Sequence, residues 1–197
     1  VVVGLGPAGL FAALLLARSG FRPLVLERGP ELDERVKAVE HFEKTGELNL
    51  NANIQFGEGG AGTFSDGKLT TRVGDPLCAF VTDAFLQHGA PADIAWRQKP
   101  HVGTDLLRGI IRSIRQEIIA LGGEVRFNTA LTGLKIENGA LASVETTAGD
   151  FACEQLILAV GHSARDTFAM LHRQGMPLEC KPFSVGFRAE HLQTEID

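Results

Sequence analysis

Apolar residues follow two different periods along the chain, and the change of period divides it into predicted helices and strands. Three short aliphatic runs have the length and composition of buried parallel strands: residues 1–3, 23–26 and 155–160. Helical spacing or a capping signal predicts five helices: residues 7–19, 31–45, 75–88 and 105–121, and one that follows Gly161 and ends at Leu171. Such alternation is typical of an α/β fold with a parallel sheet.

Side-chain spacing also predicts which helix faces are buried and where helices begin. The buried faces are expected in two helices: Leu32, Val36, Val39 and Phe42 in the second, and Leu106, Ile110, Ile114 and Ile118 in the fourth. Asp75 before Pro76 marks the start of the third helix, and Thr104 is the predicted N-cap of the fourth.

A period of two replaces the helical period after the fourth helix. Three strands are predicted there: residues 124–127, 131–137 and 140–147. Asn138-Gly139 is a strong signal for a hairpin turn between the last two. We therefore expect an antiparallel hairpin before the parallel sheet resumes at Gln155.

Gly4, Gly6 and Gly9 form a GxGxxG motif between the first strand and the first helix, and Glu27 closes the second strand. Gly4 permits a tight turn, Gly6 lets a pyrophosphate approach the backbone, and Gly9 lets the helix pack closely on the sheet. The helix N-terminus offers N–H groups to phosphates, and the Glu27 carboxylate can accept hydrogen bonds from ribose hydroxyls. The pattern predicts a dinucleotide site, for which an acid at position 27 makes NADP the least suitable ligand.

The GxGxxG motif and Glu27, together the dinucleotide fingerprint, fit both FAD and NAD. A glycine-rich loop at residues 53–68 separates the two cofactors. The run NIQFGEGGAGTFSDGK at residues 53–68 resembles the signature of a group of bacterial FAD-dependent dehydrogenases of unassigned substrate, within the glutathione-reductase-like flavoproteins. Shorter blocks fit the same group: PHVGTD at 100–105, GHSARD at 161–166 and KPFSVGFR at 181–188. LAVG at residues 158–161 looks like the late ATG-type motif of those flavoproteins.

The resemblance implies an FAD/NAD(P)-binding Rossmann-like α/β domain, in which a parallel sheet flanked by helices contains an inserted antiparallel β-meander. It also implies which residues would meet FAD. The diphosphate would contact five residues of the first turn: Gly4, Gly6, Pro7, Ala8 and Gly9. The rest of the cofactor would be met by a second set: Glu27 and Arg28 at the adenosine, Leu131 at the adenine edge, Gly59, Gly60 and Thr63 near the pyrophosphate or ribityl chain, and Gly161 passing the cofactor.

Four side chains are candidates for a catalytic role. Asp66 and Lys68 follow the glycine block and could reach a flavin ring, or could form an ordinary turn and a solvated charge. His101 and His162 are possible acids or bases, and a structural role in the loop backbone is the favoured interpretation of His101. His162 follows the carboxyl end of a strand, where ligands of α/β proteins collect, but a catalytic role is the less favoured interpretation.

Composition limits the partners and the location of the protein. The 197 residues carry a net charge of −5 without a basic run, which argues against a nucleic-acid or anionic-membrane partner. Cys78, Cys153 and Cys180 are widely spaced, so they predict reduced thiols in a cytoplasmic protein and neither a redox pair nor a metal site. The longest apolar run, residues 10–17, is too short to span a bilayer.

An FAD-dependent oxidoreductase, a dehydrogenase or reductase of a small molecule, is the expected function, with NAD(P)H as a candidate electron donor. The alternatives are an NAD-dependent dehydrogenase and a non-catalytic flavin-binding module. Residues 1–180 are expected to form the FAD-binding domain, truncated at both ends, and residues 181–197 to begin a second, substrate-type domain. Three features are the basis for expecting a fragment: the missing starting Met, an end just after a strand-like run at residues 183–189, and the missing C-terminal Gly-Asp motif of those flavoproteins.

Overall fold

A computed structural model describes residues 1–65, 67–69, 71, 73–96, 102–187 and 189–196 of the chain. Its strands are β1 (Val2–Val3), β2 (Leu24–Leu26), β3 (Glu124–Arg126), β4 (Leu131–Glu137), β5 (Ala140–Thr146), β6 (Phe151–Ala152) and β7 (Ile157–Leu158). Four of them form a parallel sheet in the order β3-β2-β1-β7, and the other three form an antiparallel sheet in the order β4-β5-β6. The predicted parallel sheet with an antiparallel insertion is confirmed.

The first of the period-two strands, β3, joins the parallel sheet beside β2, and the meander consists of β4, β5 and the short β6, which the sequence pattern did not indicate. The predicted hairpin turn is confirmed. Asn138 and Gly139 lie between β4 and β5 with φ values of 51° and 80°. This left-handed pair is the backbone geometry of a type I′ turn, for which Asn-Gly is the preferred sequence.

Within the described residues, five α-helices flank the strands: α1 (Pro7–Arg18), α2 (Leu32–Thr45), α3 (Cys78–Gln87), α4 (Thr104–Ala120) and α5 (Arg165–Arg173). Short 3₁₀ turns cover Ala61–Phe64, Ala92–Ala95 and Gln193–Glu195. Successive strand residues point to opposite faces of the sheet, so two hydrophobic clusters form. Val2 and Val25 pack with α1, α3 and α4, whereas Val3 and Leu26 pack with the meander and α5.

The structure corrects the predicted starts of two helices, α3 and α4. The Asp75 carboxylate accepts the Leu77 N–H at 2.8 Å, but it closes a tight turn, and α3 begins only at Cys78. Thr104 is the first residue of α4, and Gly103, with φ of 82°, is the N-cap. The Thr104 hydroxyl donates to the carbonyl of Ser65 at 2.6 Å and so joins α4 to the glycine-rich loop.

The predicted buried face of α4 is wrong at one position. Leu106 is 52% exposed, while Leu107 is buried with Ile111, Ile114 and Ile118. These four residues repeat at intervals of four and three, which keeps them on one side of a helix with 3.6 residues per turn. The other three predicted residues, Ile110, Ile114 and Ile118, are buried, so the buried face of α4 begins at Leu107 and Leu106 lies outside it.

Two expectations for the last third of the chain also need correction. The run at 155–160 was expected to be a buried strand, but β7 is short, and Ile157 and Leu158 are 41% and 39% exposed. It pairs only with β1 among the described strands, so it forms an edge of the sheet. Past α5 the described residues contain no further strand, although the apolar residues at 183–189 suggested one.

Candidate functional site

A cavity of about 560 Å³ opens where the carboxyl ends of β1, β2 and β7 meet. Val3, Leu26 and Leu158, the last residues of those strands, contribute to its wall. In parallel α/β sheets this edge is where ligands bind, and the volume lies within the range of cofactor and small-molecule sites. Much of the remaining wall comes from backbone-rich turns of five segments: residues 4–8, 27–28, 55–61, 129–131 and 159–167.

The three glycines of the first turn have three different environments. A Cβ on Gly4, whose φ is 97°, would lie 2.4 Å from the carbonyl oxygen of Ala159, and a Cβ on Gly9 would lie 1.8 Å from the carbonyl oxygen of Gly4. A Cβ on Gly6 would meet no atom within 4 Å, although Gly6 lines the cavity. The fold therefore requires glycine at positions 4 and 9, whereas the space in front of Gly6 is open to a ligand.

The N-terminus of α1 forms the floor of this open space. Gly6 is its N-cap and has no side chain to bind the first N–H groups, Pro7 occupies the first turn, and that turn carries no acidic residue. The first N–H groups of a helix have no partner within the helix, and together with the helix dipole they attract anions. Gly6, Pro7 and Ala8 thus present a positive backbone surface to the cavity.

The Glu27 side chain is buried, being only 3% exposed, at the end of β2. Its two oxygens accept the N–H groups of Leu5 at 2.7 Å and Gly29 at 2.9 Å, which fixes the carboxylate against the glycine turn. Burial raises the pKa of Glu27 above its usual value, and the two backbone hydrogen bonds oppose that rise. Glu27 therefore connects the first turn and the segment after β2 at the cavity wall.

The glycine-rich loop packs directly on the first turn. The Gly59 N–H donates to the carbonyl of Leu5 at 2.9 Å, and a Cβ on Gly60 would lie 2.6 Å from Cδ of Pro7. Gly60 lines the cavity, whereas Gly59 and the fully buried Thr63 lie behind its wall. The Thr63 hydroxyl donates to the carbonyl of Gly60 at 2.7 Å and so supports that wall from within.

The sequence pattern did not predict two buried charged residues, one beneath this loop and one within it. Arg35 and Glu58 are both fully buried. Arg35 replaces the predicted Val36 on the inner face of α2, where Val36 is half-buried. Glu58 accepts the Leu32 N–H at 2.8 Å, so its carboxylate binds the first turn of α2. The only local signal was the position of Arg35, three residues after Leu32 and four before Val39.

Arg28 lies beside the cavity and is held by an ion pair. Its guanidinium donates two hydrogen bonds to Asp166, at 3.1 and 2.8 Å, and one to the side-chain oxygen of Asn51 at 3.2 Å. The guanidinium lowers the pKa of Asp166 below its usual value. Close by, the Ser163 hydroxyl donates to the side chain of Gln55 at 3.0 Å. These contacts join the start of α5 to the glycine-rich loop.

Most, but not all, of the predicted cofactor residues meet at one cavity. Nine line it: Gly4, Gly6, Pro7, Ala8, Glu27, Arg28, Gly60, Leu131 and Gly161. Gly9, Gly59 and Thr63 shape it from behind. Of the catalytic candidates, His162 lines the cavity, whereas Lys68 is exposed and does not. Asp66 and His101 lie outside the described residues.

The described residues contain neither a metal-binding group nor a membrane-spanning helix. No group of three or more His, Cys, Asp or Glu side chains among them is placed to hold a metal ion. None of the helices described is long and apolar enough to cross a bilayer. Cys78, Cys153 and Cys180 are free thiols.

Comparison with known sequences gives a relative that matches the whole chain. No protein-family model matches the chain. A protein of Clostridium beijerinckii, described as uncharacterized, is 53% identical over all 197 residues. The chain spans 37% of the length of that curated relative.

Solved structures agree with the architecture. Glycine oxidase from Bacillus cereus matches with a TM-score of 0.53 and 15% identity over 89% of this chain and 57% of that one. THI4 from Thermovibrio ammonificans matches with a TM-score of 0.54 and 16% identity over 89% of this chain and 62% of that one. Because the sequence identities are this low, the two matches support the fold and carry no information about function. The chain has the FAD/NAD(P)-binding Rossmann-like fold that its sequence predicts.

Proposed function

We propose that this chain holds the FAD of a flavin-dependent oxidoreductase. The observation that carries the proposal is the open space in front of Gly6, between the N-terminus of α1 and the glycine-rich loop. Packing inside the protein does not explain why this position lacks a side chain. A diphosphate bound at the helix N-terminus does, since its oxygens must approach the backbone.

The cavity has a phosphate end and a sugar end. Gly6 and Ala8 would offer N–H groups to the diphosphate at the positive end of the α1 dipole. Gly4, whose N–H donates to the Leu26 carbonyl at 2.8 Å, and Pro7, which has no N–H, would contribute the shape of the turn beneath it. Gly60, which packs on Pro7, would close over the same group from the other side. In this arrangement the phosphates of the ligand would face backbone N–H groups, and its rings would face the apolar residues at the strand ends.

Glu27, Arg28 and Leu131 would form the adenosine end. Each Glu27 oxygen already accepts one N–H and retains a lone pair for a ribose hydroxyl. Leu131 begins β4 and presents its backbone near the adenine edge. Arg28 would contribute its position beside the cavity rather than a free charge, because Asp166 already binds its guanidinium. Gly161 would pass the cofactor.

FAD is preferred to NAD because of the segments that separate the fingerprint from β7. The glycine-rich loop and the meander resemble those of glutathione-reductase-like flavoproteins, whereas a simple NAD domain would alternate strands and helices there. Bound flavin would supply the hydride chemistry, and the protein would supply binding and orientation. His162 is the described candidate for proton transfer at the cavity, and NAD(P)H is a candidate electron donor.

The same proposal extends to the remaining expectations. The substrate would be a small molecule, and the setting cytoplasmic. Residues 1–180 would form the FAD-binding domain, and residues 181–197 would lead into a substrate-type domain.

The test is the absorption spectrum of the purified whole protein, followed by assays of dye reduction with a panel of small-molecule donors and NAD(P)H. We expect a yellow protein whose bound flavin is reduced by at least one donor. A colourless protein that cannot be reconstituted with FAD would refute the proposal. Bound FAD without turnover would favour the non-catalytic module, and bound NAD would favour the NAD-dependent dehydrogenase.

A further inference from the structure

Arg35 is a fully buried cation that holds the glycine-rich loop from below. Its Nη1 donates to the carbonyls of Glu58 at 2.7 Å and Gly60 at 3.0 Å. Its Nε and Nη2 reach the carbonyls of Asn53 at 2.9 Å and Ile54 at 3.1 Å. The Thr63 hydroxyl lies 3.1 Å from Nη1. One side chain therefore binds five oxygens between residues 53 and 63.

The charge of Arg35 is compensated although no carboxylate of the described residues contacts it directly. Burial lowers the pKa of Arg35 to about 10, and the carboxylates of Glu27 and Glu58 oppose that fall. The group therefore stays protonated at neutral pH. The Phe64 ring stacks on it, with the guanidinium carbon 4.7 Å from the ring centre. A cation retained at this cost of desolvation needs a reason beyond stability, because apolar replacements of buried ions are often as stable.

The loop is shaped to receive the guanidinium. Gly57 has φ of 120°, and a Cβ there would lie 2.8 Å from Nε of Arg35. Beyond that contact, Gly59 bonds to Leu5 and Gly60 packs on Pro7. A continuous set of contacts thus runs from the guanidinium through residues 57–60 to the N-terminus of α1.

We propose that Arg35 is the positioning residue of the diphosphate site: by binding the loop carbonyls, it sets the distance between residues 57–60 and the N-terminus of α1. The inference rests on the proposed function. Arginine suits the role because its planar fork carries five N–H donors in fixed directions, whereas lysine has three donors on a flexible stem.

The test compares R35M and R35K with the control R18M in the whole protein freed of bound ligand. Arg18 forms two hydrogen bonds to the carboxylate of Glu117, away from the glycine-rich loop, and does not line the cavity. Dissociation constants for ADP and adenosine are measured by ligand-observed NMR at a temperature where circular dichroism shows each variant folded. The two probes share the adenosine end and differ in the diphosphate.

We expect R35M to weaken ADP binding by about tenfold or more, which corresponds to about 1.4 kcal/mol, and to change adenosine binding by less than about twofold. R35K should lie between R35M and the wild type, and R18M should leave both constants unchanged. A purely structural arginine would weaken both ligands equally or neither, and either result would overturn the proposal.

If R35M does not fold, R35K and hydrogen exchange decide the question. The Gly59 N–H should exchange about tenfold faster in R35K, because its bond to Leu5 depends on the loop position. Unchanged exchange together with unchanged ADP affinity would overturn the inference. A wild-type protein that binds neither ADP nor FAD would instead refute the proposed function, and this inference with it, whereas a binding wild type with indifferent variants would refute the inference alone.

Discussion

For the substitution Gly6→Ala, the structure predicts a small loss of folding stability and a large loss of FAD affinity. The backbone at Gly6 has φ of −66° and ψ of −177°, which any L-residue adopts. The added methyl group meets no protein atom within 4 Å. Alanine is a poorer N-cap than glycine, so the expected loss of folding stability is below about 1 kcal/mol.

The expected cost to binding is larger because the methyl group would occupy the position proposed for the diphosphate. Moving the phosphates away from the α1 N-terminus would break at least one hydrogen bond to a charged group, worth about 1.5–3 kcal/mol. That loss corresponds to an FAD affinity weakened by about 10- to 150-fold. A larger side chain at the same position should have a larger effect.

The assay pairs thermal unfolding with an FAD titration followed by flavin fluorescence, and Gly109→Ala is the matched control. Gly109 lies inside α4, and a Cβ added there would also meet no atom of another element within 4 Å. Gly109 does not line the cavity. Alanine there should raise stability by about 0.5–1 kcal/mol and leave affinity unchanged. If Gly6→Ala binds FAD as tightly as Gly109→Ala does, the diphosphate does not bind at this turn.

Three further predictions concern the same turn and its supports. Gly9→Ala should lower the melting temperature measured by circular dichroism, since its Cβ would lie 1.8 Å from the Gly4 carbonyl oxygen and overpacking costs about 1–3 kcal/mol; an unchanged melting temperature would contradict the packing. Burial raises the pKa of Glu27 above its usual value, and a ribose hydroxyl would favour the ionised form, so ADP affinity measured by calorimetry should rise as the pH rises through the raised pKa of the free protein. Glu27→Gln should lose this slope, and equal slopes would count against a ribose contact. The Arg18 guanidinium lowers the pKa of Glu117 below 4.5, so the stability that the ion pair adds, at most about 1 kcal/mol, is present above pH 4.5 and lost as the pH falls through the lowered pKa. Urea unfolding of wild type and Glu117→Gln should therefore differ near neutral pH and converge in acid, and a constant difference would exclude this pair as the cause.

Local patterns were sufficient for the parts of the fold that depend on neighbours in sequence. The turn at Asn138-Gly139 and the parallel strands that alternate with helices are confirmed. Backbone preference and the spacing of apolar residues determine both features within a few residues. The reasons assigned to Gly4 and Gly9 also match their contacts, since a strand-to-helix turn places those atoms together in any such fold. The proposed ligand contacts stay predictions.

The support beneath the site depends on contacts that no local pattern contains. Arg35 is buried because carbonyls 18 to 25 residues later in the chain turn toward it, and Glu58 is buried because it meets Leu32, 26 residues earlier. Charged residues of either kind are ordinarily assigned to the surface. Leu106 and the edge strand β7 were misassigned for a related reason: the exposure of both depends on which elements pack beside them.

Mass spectrometry of the ligand released when the purified whole protein is denatured tests the central claim most directly, because it identifies what the turn at Gly6 and the carboxylate of Glu27 retain. The account predicts FAD, at close to one molecule per chain. Release of NAD, or of no nucleotide even after incubation with excess FAD, would contradict it.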